Sequence, residues 1–68
     1  MYRLKYDEES DVLVITVAKS GSLSHAEEMG DIVVHLGKKG EPLFLEVLNA
    51  SKTVPLMVQA LAKKEVAA

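Results

Sequence analysis

Glu46 is the ionisable residue with the most pointed setting in this chain. It interrupts the apolar run Leu43-Phe44-Leu45-Glu46-Val47-Leu48. In an extended segment, alternation places it on the face opposite Leu45 and Val47. If that face is covered, the carboxylate needs a partner or a raised pKa. A raised carboxylate could act as a general acid or base. No nucleophile or oxyanion donor accompanies it in a recognisable pattern, so no catalytic residue is assigned. An inward charge also guards a sheet against wrong pairing, and a rim ion pair with a lysine would satisfy it. Glu46 is therefore a candidate contact for a partner.

His25 and His35 are the metal candidates. A three-residue hairpin loop over residues 29 to 31 would set them opposite each other, close enough to share zinc, with Glu27 on the same face. A two-residue loop would send them to opposite faces. Two histidines without a third fixed ligand make a poor site, so neither metal nor cofactor is expected. Asp7, Glu8, Glu9 and Asp11 crowd four carboxylates together. A calcium loop needs about twelve residues and a central glycine, so a solvated hairpin turn is expected instead.

Asn49-Ala50-Ser51 is a formal acceptor for N-linked sugar, which matters only in a secreted chain. The opening "MYRLKYDEES" has no apolar signal-peptide core, and cysteine is absent. A cytoplasmic protein is expected. The triplet then reads as a strand-to-helix corner. Asn tolerates left-handed backbone, and Ser51 could accept from helix N–H groups.

The elements that must position these residues follow from hydrophobic period. Tyr2, Leu4 and Tyr6 alternate with Arg3 and Lys5, the pattern of a half-buried edge strand. "DEES" is a turn. "DVLVITVA" is β-branched on both faces and reads as a strand covered on both sides. "KSGS" turns again, "LSHAEEM" is a polar strand, and Gly30-Asp31 leads into "IVVHL". "GKKGEP" is a hairpin loop with Gly40 left-handed, and "LFLEVLN" is the last strand. Val54, Met57, Val58, Leu61 and Ala62 then recur at helical spacing. Pro55 suits only a first turn, so the helix should start near Thr53, capped by Ser51 or Thr53. Lys63 and Lys64 suit its negative end. The fold class expected is α+β: an antiparallel β-meander of four to five strands with one C-terminal α-helix packed on one face. The helix stripe should meet Leu13, Ile15, Leu43, Leu45 and Val47. Leu56 falls off that stripe and is a second candidate contact for a partner.

Sixty-eight residues allow one domain, 1–68. A chain this short buries only about 60% of its unfolded surface. It has no disulfide to lean on, and its hydrophobic fraction of 49% can feed both a core and an interface. A homodimer is expected, with the second sheet face meeting another chain. The net charge of −2, scattered basic residues and few aromatics argue against nucleic acid. The apolar run Val12–Ile15 is too short to cross a bilayer.

"YDEESDVLVITV", "KKGEPLFL" and "EVLNASK" together resemble the family called domain of unknown function 2283, over Tyr6 to Lys52. The parts are Tyr6-Asp7, Asp11 before an apolar strand, a glycine hairpin, Glu46 within an apolar strand, and Asn49-Ala50-Ser51. The sequence departs from the family pattern in two places: the family usually has an acidic residue near His35 and a glycine near Phe44. The resemblance implies a small cytosolic prokaryotic protein without an established activity. Its members are often encoded beside RNA-cleaving toxins, which implies an antitoxin role. Three functions stand as expectations. The first is a non-enzymatic protein-interaction module, the antitoxin of a toxin pair being one form. The others are a homodimeric binder of a small ligand and an enzyme using Glu46 or a histidine.

Overall fold

The computed structural model describes residues 2–18 and 20–63. Lys19, in the second turn, and Lys64, at the expected helix end, lie outside them. The chain runs β1 (Arg3–Asp7), β2 (Val12–Thr16), β3 (Leu23–Met29), β4 (Ile32–Gly37), β5 (Pro42–Leu48) and α1 (Ala50–Ala62). All pairings are antiparallel, in one sheet of order β1-β2-β5-β4-β3. This is the α+β meander with a C-terminal helix that the periodicity implies. The order adds one refinement. After the β1–β2 hairpin, the chain passes to the far edge, and the β3-β4-β5 meander brings it back so that β5 lies against β2.

The turns follow their residues. Gly30 carries φ 60 in a two-residue loop between the paired Met29 and Ile32, the position where a tight hairpin turn favours glycine. Gly40, at φ 79, closes a turn in which its N–H donates to the Gly37 carbonyl at 3.0 Å.

The register defines two faces. One carries Leu4, Tyr6, Leu13, Ile15, Ile32, Val34, Leu36, Leu43, Leu45 and Val47. The other carries Arg3, Lys5, Val12, Val14, Thr16, Val33, His35, Phe44, Glu46 and Leu48. Burial is thin. Among the described residues the buried apolar side chains are Val33, Leu43, Val47 and Ala50, and none is wholly enclosed. Strand β1 was expected to be half-buried, yet every residue of it is exposed. It is an edge strand, and no element covers its apolar side.

Helix α1 has β5 as its principal contact. Ala50 is buried and Val54 is half-buried. Leu56, Met57, Val58 and Leu61 are exposed. The stripe is thus only partly spent on the sheet, and Leu13, Ile15 and Leu45 stay half-buried. No described helix is long and apolar enough to cross a membrane.

Candidate functional site: a carboxylate clasp and a histidine–glutamate pair

Two side-chain clusters stand out, and sequence reasoning placed neither in full. The first is centred on Asp11. Its backbone is left-handed, φ 56, at the end of the β1–β2 turn. One carboxylate oxygen accepts from the Tyr6 hydroxyl at 2.6 Å and from the Ser51 N–H at 3.0 Å. The other accepts from the Ser51 hydroxyl at 2.7 Å. The Asp11 carbonyl takes the Ala50 N–H at 3.0 Å. The first N–H groups of a helix have no partner within it, and here Asp11 supplies acceptors for two of them. It also sets a negative charge at the positive end of the helix dipole.

This corrects the capping expectation. The helix starts at Ala50, not near Thr53. Asn49 occupies the N-cap position in a left-handed conformation, φ 50, and its side chain makes no cap bond. Ser51 donates its hydroxyl to Asp11 and does not accept from the helix. The Thr53 hydroxyl donates to the Leu48 and Asn49 carbonyls. With the cap supplied from forty positions away, the helix can begin earlier than local signals allow. Pro55 then lies inside it. The carbonyl that loses its donor is that of exposed Ser51, which water can satisfy.

A second aspartate holds the other flank of the corner. The Asp31 carbonyl accepts from the Leu48 N–H at 2.7 Å, and its carboxylate from the Asn49 amide at 3.2 Å. The end of β5 is thus fastened to the β1–β2 and β3–β4 turns. The carboxylates expected to make a plain solvated turn divide their roles: Asp7 takes the Ser10 hydroxyl at 2.7 Å, while Asp11 builds the corner.

Hydrogen bonds from Tyr6 first, then from Ser51, hold the Asp11 carboxyl below its ordinary range. The same bond holds the Tyr6 phenol above its ordinary range. Asp7 is lowered by its bond from Ser10. A carboxylate that already accepts three donors is a weak base, and Ser51 next to it is not activated. The arrangement fits an anchor better than a reacting group.

The second cluster lies on the mixed face. The His35 Nε2 and a Glu46 carboxylate oxygen are 2.6 Å apart. The imidazole donates, since a carboxylate can only accept. His35 also stacks on Phe44, its cross-strand neighbour, at 4.0 Å between ring centres and 13° between planes. Glu46 finds its partner in His35 and not in a lysine. The pair is half-buried, at 18% and 33% side-chain exposure, so Glu46 keeps a path to solvent.

His25 takes no part. The two-residue loop sets it opposite Leu36 and sets Ala26 opposite His35, so the histidines fall on opposite faces. His25 lies 3.8 Å from Glu27 and is exposed. Among the described residues no group of three or more His, Cys, Asp or Glu could hold a metal ion. Leu56, the other candidate contact, is 63% exposed on α1.

The clasp unites Tyr6, Asp11 and Ser51, three of the residues that carry the family resemblance. The chain matches, over residues 3–51, the model of the family described as protein of unknown function (DUF2283). It belongs to that family. No curated protein and no solved structure matches it.

Proposed function

We propose that this chain acts by binding another protein and carries out no turnover of its own. The observation that carries this reading is the apolar side chains that α1 leaves in water: Leu56 at 63%, Val58 at 58% and Leu61 at 79% exposure. Exposed apolar groups gathered on one element are costly to keep without a partner. A helix of this kind suits a hydrophobic groove on another protein. The polar clusters support the same reading from the other side. Asp11 is committed to the corner, and Glu46, on which an enzymatic alternative rests, is engaged by His35.

Leu56 is the central contact in this proposal, and Glu46 is the second. The partner class that the family suggests is an RNA-cleaving toxin, with this chain as its antitoxin. Co-expression of the tagged chain with the product of the neighbouring gene tests the pairing. Co-purification in a fixed ratio, lost on Leu56→Asp, is expected. Separate elution of the two proteins would overturn it.

A further inference from the structure

We propose that this chain assembles head to tail through its sheet edges, with β1 of one copy lying parallel against β3 of the next. This goes beyond the helix-mediated binding above and needs no other protein.

The two edges match in backbone and direction. β1 and β3 are the outer strands of the sheet, and every residue of both is exposed. Among the described residues no strand pairs with the outer side of either. Each edge therefore presents open N–H and C=O groups, a template for another strand. Every step across the sheet is antiparallel, so β1 and β3, four steps apart, run in the same direction. A copy moved sideways without turning over sets its β1 parallel to β3 and keeps each sheet face continuous.

Cross-strand rows define the register. Lys5, Val14, Glu46, Val33 and Glu28 form one row across all the strands. It begins on a lysine at one edge and ends on a glutamate at the other. The neighbouring row runs Tyr6, Leu13, Val47, Ile32 and Met29 and has apolar side chains at both ends. Repeating the sheet sideways puts the next copy's Lys5 beside Glu28 and its Tyr6 ring beside Met29. An opposite-charge pair and a sulfur–aromatic contact both favour the junction.

Charge disfavours the other edge contacts. β1 carries Arg3 and Lys5 and, with Asp7 counted, bears a net positive charge. β3 carries Glu27 and Glu28 and, with His25 neutral, bears a net negative one. Pairing either edge with its own copy brings like charges together. Joining unlike edges leaves one open edge of each kind at the ends, so the assembly lengthens with concentration.

Sedimentation velocity of the full chain, from micromolar to millimolar concentration at neutral pH, tests the proposal. The average mass should climb past twice 7.4 kDa. Lys5→Glu alone and Glu28→Lys alone each set like charges at the junction, and each should weaken assembly about fivefold. Mixing the two variants restores opposite charges between unlike copies, so the mixture should assemble more tightly than either variant by itself. Both side chains are exposed in the single chain, so circular dichroism should show both variants folded. Leu56→Asp should leave the assembly intact, which separates this proposal from the helix-mediated binding. A monomer throughout, growth that stops at two copies, or a mixture no tighter than its components would overturn the proposal.

Discussion

Asp11 and Ser51 lie forty positions apart in the chain and meet through two hydrogen bonds on one carboxylate. That contact fastens the start of α1 to the β1–β2 turn. It gives Tyr6, Asp11 and the Asn-Ala-Ser triplet a shared structural role.

Removing the Ser51 hydroxyl should therefore destabilise the chain modestly. Ser51→Ala keeps the backbone N–H bond to Asp11 and loses the side-chain one. A cost of about 0.5–1.5 kcal/mol is expected, read from urea unfolding. Ser51→Thr, which keeps the hydroxyl, should recover part of it. An alanine variant as stable as the parent would show that the bond is not maintained in solution.

The clasp should also have a pH window with two edges. The folded Asp11 carboxyl lies below its ordinary 3.8. Its contribution is complete above that value and is lost as pH falls through the lower, folded one. Tyr6 is raised above its ordinary 10.0. Its contribution is complete below 10.0 and is lost as pH rises through the folded value. Melting temperatures of the parent and Asp11→Asn should differ clearly at pH 7 and converge in acid. A difference that persists unchanged at pH 2 would mean that the Asp11 charge is not what stabilises the corner.

His35 and Glu46 should be energetically coupled. A double-mutant cycle with His35→Ala and Glu46→Ala isolates the pair. A coupling of roughly 0.5–1 kcal/mol is expected for a part-exposed pair. Additive single effects would reduce the contact to proximity. The Phe44 ring should contribute separately, since it stacks on the imidazole without touching the acid–base contact.

Much of the fold was legible in the sequence because it rests on local signals. The β-branched runs mark β2 and β4, the apolar Leu43-Phe44-Leu45 and Val47-Leu48 mark β5, and Gly30 and Gly40 mark two turns. The strand order was not legible, because nothing local says on which side of the β1–β2 hairpin the later strands dock. The helix start was misplaced for the same kind of reason. Capping was sought in Ser51 and Thr53, within the helix, while the acceptors come from Asp11. The signal that could have found it is the joint presence of Tyr6, Asp11 and Ser51 in one family pattern. The His35–Glu46 pair needed the β4–β5 register, which the Gly40 turn alone does not fix: Leu36 pairs with Pro42 but His35 with Phe44, across a register shift of one residue.

The central claim is that the clasp serves the fold and the exposed helix serves binding. Calorimetric titration of the neighbouring gene's product with parent and Leu56→Asp chains tests it most directly. Leu56→Asp is expected to melt like the parent, because Leu56 is 63% exposed, and to bind about tenfold or more weakly. Equal affinity of the two chains, or a loss of binding that merely follows a loss of folding, would contradict it.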